Sequence, residues 1–377
     1  MKIKVVFLTE IISPYRIPVF NEIAKSIGDE FAVLFFGETE KRRKWKIYKE
    51  KIKFRYEILP AILFQKEGSS PCFFNPTIFL RLIKYSPDVL IIGGYYHPSC
   101  LLAMLYAKIF KRQAILWCES TKNEQRFNQV FKRAYKRWFL ANCDWFVAAG
   151  KASFEYLISL GVKQEKISVA PNAIDNDCFA MVCEEYKAGK QAFKKIKGYP
   201  EKIILYVGRL IEQKGVLDLL KSFQMLAREQ SNLGLLLVGS GEAEKKYKDF
   251  CQENILKNVF FAGFVHQEEL PLYYAIADIF VLPTHSDPWG LVLNEAMACK
   301  LPVISSDVAG AACNLIQHGE NGYIFKKGDI RQLAVYLKDL LSDERKSFSM
   351  GLKSSEIIKS YSPSKCAQGF IRAIEQI

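Results

Sequence analysis

An α/β protein made of two Rossmann-like domains, each a doubly wound parallel sheet, is expected from three observations. At 377 residues the chain exceeds the ~250–300 at which a single hydrophobic core stops growing. Short apolar runs ending at Gly, Pro or Asn alternate with helical patterns along its length, as parallel strands with helical crossovers require. A Pro171-Asn172-Ala173-Ile174-Asp175 segment interrupts the alternation near the middle. It separates an expected domain of residues 1–172 from one of residues 173–361.

Lys2 to Thr9 reads as a buried strand, followed by Ser13-Pro14-Tyr15-Arg16 and a helix from about Pro18 to Ile27. A dinucleotide fold would carry Gly-x-Gly-x-x-Gly in that turn, and none is present. Arg16 suits either an anionic ligand or a plain surface position at a helix start. Phe31 to Phe36 is the second strand. Lys41-Arg42-Arg43-Lys44-Trp45-Lys46 sets five cations around one Trp, which fits a solvated loop or an interfacial anchor. Ala61 to Tyr85 places Phe64, Phe73, Phe74, Ile78 and Phe79 close to Arg81 and Lys84. Either an amphipathic surface segment or a helix docked on the sheet would look so.

Asp88 to Gly93 and Ala114 to Trp117 are the next strands, ending in Gly93-Gly94-Tyr95-Tyr96-His97 and Cys118-Glu119-Ser120-Thr121. Neighbouring parallel strands share a carboxyl side, so His97 and Glu119 are titratable candidates on one edge. Cys100 to Phe110 falls short of the ~18 apolar residues of a membrane span and is expected as a core helix. Gln125 to Leu140 is a helix with Phe127, Val130, Phe131, Ala134 and Trp138 on its sheet-packing face, and with Arg126, Lys132, Arg133, Lys136 and Arg137 elsewhere. Asp144 to Ala148 and Ile167 to Ala170 close the first half.

The polar stretch Cys183 to Lys202 leads into the strand Ile203 to Val207, the loop Gly208-Arg209-Leu210-Ile211-Glu212-Gln213-Lys214-Gly215 and the helix Val216 to Arg228. Gly234 to Val238 ends in Gly239-Ser240-Gly241, and Val259 to Ala262 in Gly263-Phe264-Val265. After a helix over Leu270 to Ala277, Ile279 to Ser306 reads as strand, loop broken at Pro283 and Pro288, helix after Gly290, and strand. Gly310 closes a strand-to-helix turn and Asn321-Gly322 is a turn pair. Amphipathic Gln332 to Leu341 and a last helix, Ser364 to Ile377, complete the chain.

Half the residues are hydrophobic and a quarter charged, which excludes disorder and low complexity. The ten cysteines form no Cys-x-x-Cys pair and no secretory n-region precedes them, so free thiols in a reducing cytoplasm are expected. The net charge of +13 lies wholly in residues 1–170, with 28 Lys and Arg against 15 Asp and Glu, while the remainder balances at 25 of each. A basic half beside a neutral one implies an anionic partner: a membrane surface, a diphosphate-linked lipid or nucleic acid. No zinc spacing, RNP-type pattern or helix-turn-helix supports nucleic acid, so none is expected as a partner.

Chemistry concentrates in two loops of the second half. Asp287 and Glu295, with seven residues between, flank a helix start at Gly290 and Leu291 whose N–H groups favour an anion. Carboxylates accept from hydroxyls and avoid phosphates, so a ligand with an anionic middle and hydroxyl-rich ends, a nucleotide sugar, fits. Arg209 offers a planar fork and Lys214 a point charge at a strand end, where a departing diphosphate gains negative charge.

This acid-x7-acid spacing, with Gly290-Leu291 inside it and Glu295-Ala296-Met297-Ala298 at its end, resembles the family-4 (group 1) retaining glycosyltransferases of the GT-B fold, in which two Rossmann-like domains face a cleft. Gly208-Arg209-Leu210 with Lys214-Gly215 resembles their diphosphate site. Pro171 to Asp175 resembles the Pro-Asn-Gly-Val-Asp at which such chains cross to the second domain. The family usually carries Glu where this chain has Asp287, and Gly where it has Ala173.

The resemblance covers residues 171–325 and implies an N-terminal acceptor domain, a C-terminal nucleotide-sugar donor domain, and a last helix, 362–377, crossing back to the first. It also implies separate roles. Arg209 and Lys214, with the N–H groups of Gly290 and Leu291, would stabilise the leaving diphosphate. Asp287 would orient the donor sugar and Glu295 the ribose. Gly208, Gly239, Gly263 and Phe264 would border the nucleotide, where Phe264 is equally read as core packing. Arg16 would line the cleft and Glu119 would sit near the attacking hydroxyl.

No cofactor or metal is expected, and Asp175-Asn176-Asp177 is read as a chance Asp-x-Asp. The implied activity is transfer of a hexosyl unit to a lipid-linked or glycan acceptor in surface polysaccharide assembly, at the cytoplasmic membrane face. A GT-B phosphorylase, a nucleotide-sugar epimerase or a non-catalytic membrane- or nucleic-acid-binding protein on this scaffold are the rivals. Intact Arg209, Lys214 and Glu295 separate an active site from a retired one.

Overall fold

The structure, a computed structural model, describes residues 3–40, 43, 45–64, 71–122, 130–228, 230 and 232–377. The chain divides into two compact units, Met1–Ala173 with Pro363–Ile377, and Ile174–Ser362.

The first unit has seven parallel strands: β1 (Val5–Ile11), β2 (Phe31–Gly37), β3 (Arg55–Ile58) and, past an antiparallel hairpin of β4 (Ile62–Phe64) and β5 (Cys72–Phe74), β6 (Val89–Gly93), β7 (Gln113–Cys118), β8 (Trp145–Ala148) and β9 (Ile167–Val169). Their order is β3-β2-β1-β6-β7-β8-β9. Strands buried on both faces need no polar alternation, and Val5 to Leu8 of β1 and Val89 to Ile92 of β6 are accordingly continuous apolar runs. Val5 and Phe7 point to a core shared with the helices Ile17–Ile27 and Pro363–Glu375. Val6 and Leu8 point the other way, under the helices Ile78–Tyr85, Pro98–Ile109, Val130–Ala141 and Lys151–Ser159.

The second unit has six parallel strands: β10 (Lys202–Val207), β11 (Leu233–Val238), β12 (Val259–Gly263), β13 (Ile279–Leu282), β14 (Val303–Ser306) and β15 (Gly322–Phe325), in the order β12-β11-β10-β13-β14-β15. The chain winds outward from β10, returns to its other side at β13 and winds outward again. The reversal leaves a crevice at the carboxyl ends of β10 and β13, where ligands of such sheets bind. The same reversal in the first unit lies between β1 and β6.

Two local expectations need correction. Between residues 61 and 85 the reading of one amphipathic surface segment gives way to the other: β4 pairs with β5, and the helix Ile78–Tyr85 docks on the sheet with Ile78 and Leu82 buried. Trp138 does not face the sheet; Phe139 and Leu140 are buried instead and Trp138 is exposed. The polar stretch Cys183 to Lys202 is mostly helical, in Asn176–Lys187 and Lys190–Lys197. Cys100 to Phe110 forms the expected core helix, with Cys100, Ala103, Met104, Tyr106 and Ala107 buried, although Leu105, Ile109 and Phe110 lie open on its other side. Lys41, Arg42 and Lys44 of the basic cluster, and Arg126 and Phe127, lie outside the described residues.

Candidate active site

In the second unit the loop after β10 and the loop after β13 are bound together. The Gln213 carbonyl accepts from His285 N–H at 2.9 Å and from Thr284 Oγ1 at 3.2 Å. His285 Nε2 lies 2.6 Å from Asp218 Oδ2, at the start of the helix Val216–Ala227. Gly215 makes the approach possible. It has a φ of +67°, and a Cβ there would fall 2.0 Å from the Pro283 carbonyl oxygen.

That seam brings Lys214 Nζ onto Asp287 Oδ2 as an ion pair, with both side chains largely buried. Asp287 Oδ1 also accepts from Trp289 N–H at 3.3 Å. Its backbone is fixed from the turn after β14, since Gly310 N–H donates to the Asp287 carbonyl at 3.0 Å. Gly310 has no room for a side chain, because a Cβ would lie 1.8 Å from the Pro288 carbonyl oxygen. Trp289 is buried and donates from Nε1 to Asn294 Oδ1 at 2.9 Å. Gly290, left-handed at a φ of +97°, then caps the helix Leu291–Ala298.

Glu295, inside that helix, is wholly buried, and its Oε2 accepts from Tyr274 Oη at 2.6 Å. Arg209 is exposed, while its carbonyl accepts from Tyr206 Oη at 2.8 Å. Burial holds that phenol well above its ordinary pKa, so it stays a donor. Gly208, Gly239 and Gly263 stand on successive strand ends: Gly208 N–H donates to Val238 O at 2.9 Å and Gly239 N–H to Gly263 O at 2.8 Å. Phe264 is exposed, edge-on to His266 at 5.0 Å, and so does not pack in the core. Asp175 and Asn176, of the Asp-x-Asp, are a helix cap accepting from Cys178 N–H at 3.1 Å and a buried amide donating to Ile358 O at 2.9 Å.

In the first unit, Arg16 and Glu119 are one assembly. Arg16 Nη2 donates to Glu119 Oε2 at 2.6 Å and its guanidinium lies 3.8 Å over the Trp117 ring. Glu119 Oε1 accepts from Asn172 Nδ2 at 2.6 Å. His97 is buried away from that pair. Its Nδ1 accepts from Phe73 N–H at 3.1 Å, which puts the ring proton on Nε2, 3.2 Å from Glu10 Oε1. Glu10 also accepts from Tyr96 Oη. Sequence reasoning missed Glu10, Tyr96, Asn172, Tyr274 and Asn294. Tyr96 and Asn172 stand inside stretches that the sequence singles out, and Glu10 is visible as a carboxylate directly after the apolar run of the first strand.

Residues 189–357 match the family model described as Glycosyl transferases group 1, and residues 30–177 the model described as Glycosyltransferase Family 4. The capsular polysaccharide biosynthesis glycosyltransferase CapM of Staphylococcus aureus is 33% identical over 38% of this chain and 37% of its own length. The amylovoran biosynthesis glycosyltransferase AmsK of Erwinia amylovora is 30% identical over 69% of this chain and 63% of its own. The chain thus spans less than two thirds of these curated relatives. Among solved structures, Anabaena HepE in complex with UDP superposes over 100% of both chains with a TM-score of 0.78 at 19% identity. Sucrose-phosphate synthase from Thermosynechococcus elongatus does so over 99% of this chain and 98% of its own, with a TM-score of 0.74 at 20% identity. Those two likenesses establish the fold, and the two family models establish descent for both halves: this chain belongs to the family-4 (group 1) glycosyltransferases and has the GT-B fold.

Proposed function

We propose that this protein transfers a hexosyl unit from a nucleotide-diphosphate sugar to a hydroxyl of a lipid-linked or glycan acceptor in surface polysaccharide assembly. The observation that carries the reading is the Lys214–Asp287 pair at the reversal between β10 and β13, beside the left-handed cap at Gly290. The ammonium is stored against a carboxylate until a diphosphate competes for it. Asp287, released, then accepts from sugar hydroxyls. Arg209 and the N–H groups of Gly290 and Leu291 join Lys214 on the leaving diphosphate. Tyr274 orients Glu295 towards the ribose, and Gly208, Gly239, Gly263 and Phe264 border the base. Relatives named for capsular polysaccharide and amylovoran, and a fold neighbour holding UDP, support the donor and product classes.

Transfer proceeds with retention. The bond from the anomeric carbon to the diphosphate breaks, the acceptor oxygen bonds that carbon on the same face, and a phosphate oxygen takes the acceptor proton. Two cations and a helix start supply the positive charge, so the step needs no metal. Glu119 and Arg16 border the acceptor hydroxyl. The basic first half points to the cytoplasmic membrane face as the working place.

A thermal-shift panel of UDP, GDP, ADP, CMP and dTDP, with and without magnesium, tests the donor half on wild type and Lys214→Ala. One diphosphate should raise the melting temperature without metal, and the variant should lose most of that rise. Silence across the panel would overturn the reading. The anomeric configuration of the product, read by proton NMR, tests retention.

A further inference from the structure

Apart from Lys108, the helix Pro98–Ile109 carries apolar side chains on its outward side as well as its inward one. Cys100, Ala103, Met104 and Ala107 face the sheet, yet Leu105 and Ile109, four apart and therefore on one face, point away from it. Ile109 is 64% exposed, and Phe110 beyond it is also exposed. The neighbouring helix Ile78–Tyr85 repeats the pattern: Ile78 and Leu82 are buried, while Leu80, 67% exposed, and Ile83 face outward. The Phe79 ring lies 5.7 Å from that of Tyr106 and 6.2 Å from that of Phe110, so the two helices pack side by side. Their outward sides join into one patch. Lone exposed hydrophobics are ordinary, whereas a contiguous group marks a contact surface.

Charge selects the partner. Lys84, Lys108 and Lys111 are exposed on the same two helices and the turn after them, and neither helix carries an acidic residue. A second copy of this chain would bring like charges together. An anionic lipid surface meets both requirements, with phosphates for the lysines and an acyl boundary for the apolar side chains.

We propose that Leu80, Ile83, Leu105, Ile109 and Phe110 dock the first unit on an anionic bilayer by shallow insertion, with Lys84, Lys108 and Lys111 at the phosphate level. The inference rests on the reading of a lipid-linked acceptor and deepens it from charge attraction to a defined insertion face. Binding is nevertheless measurable without donor or acceptor, so its failure leaves the nucleotide thermal shift untouched and the two readings fall separately.

The test is cosedimentation of the full chain with vesicles of phosphatidylcholine alone or mixed with phosphatidylglycerol, at low salt and at ~0.5 M, where surface charges are screened. Wild type should pellet with the mixed vesicles, and part of that binding should survive high salt because apolar contact is not screened. Leu105→Glu with Ile109→Glu should weaken partitioning ~10-fold or more at both salts. Lys84→Ala with Lys108→Ala should weaken it ~10-fold at low salt only. All four positions are exposed, and unchanged melting by circular dichroism verifies folding; Leu80→Glu, on the other helix, gives an independent repeat. Failure of wild type to pellet, or pelleting of Leu105→Glu/Ile109→Glu like wild type, would overturn the proposal. So would a salt-resistant dimer, seen by light scattering and abolished by the same substitutions, which would assign the face to a second copy.

Discussion

In the second unit the carboxyl edge of the sheet is closed by backbone: Gly215 against the Pro283 carbonyl, Gly310 against the Pro288 carbonyl, Gly239 against the Gly208 carbonyl. In the first unit the corresponding edge is closed by side chains: Arg16 with Glu119 and Asn172, and Tyr96 with Glu10 and His97. Backbone contacts of that closeness admit only glycine, at fixed distances along the chain. Side-chain networks can be built from many residues at many spacings. One edge is therefore written in the sequence as a motif, and the other is not.

The largest expected difference lies in turnover. Lys214→Ala should slow transfer at saturating donor by ~10²-fold or more, the scale of removing one charge-stabilising donor. Glu119→Gln in the first unit should cost less than ~10-fold, since a phosphate oxygen takes the proton in the proposed step. Steady-state rates that rank the two the other way would break the comparison.

Stability comes next. Gly310→Ala must displace the Pro288 backbone and should cost ~3 kcal/mol in a denaturant melt. Gly28→Ala, at a φ of +78° but with open space around it, should cost ~1 kcal/mol. Equal losses would show that backbone crowding does not distinguish the units.

Thiol reactivity offers the smallest and sharpest contrast. Both exposed cysteines, Cys178 and Cys313, belong to the second unit. In the first unit Cys100, Cys118, Cys143 and Cys366 are buried, and burial pushes the Cys366 thiol up to about 12. Brief native alkylation read by peptide mass spectrometry should modify Cys178 and Cys313 and spare those four. Early modification of Cys366 would place its helix away from the first unit's core.

What was legible follows from the same contrast. Strand and helix alternation exposed both sheets, because strands covered on both faces read as apolar runs. Lys214 and Asp287 were each visible, but their direct pairing was not, since seventy-odd residues of chain hide which loops the winding brings together. Arg16 and Glu119 were likewise read as two residues rather than one pair. Tyr274, which holds Glu295, carries no signature because a tyrosine in an apolar helix looks like core. The outward apolar face was concealed most completely: Leu105 and Met104 are equivalent in composition, and only the sheet's position tells which is covered.

The helix Pro363–Glu375 completes a core that begins at Val5, with Phe370 set against Phe7 and Trp117 at 5.3 and 5.5 Å, beneath the ring on which Arg16 rests. During synthesis the first half leaves the ribosome long before that helix exists. Its sheet must wait, with one face incompletely covered, while the whole second unit is translated and folds. The order of synthesis and the order of completion are therefore opposite, and the first unit becomes finished only once residues 363–375 have been made.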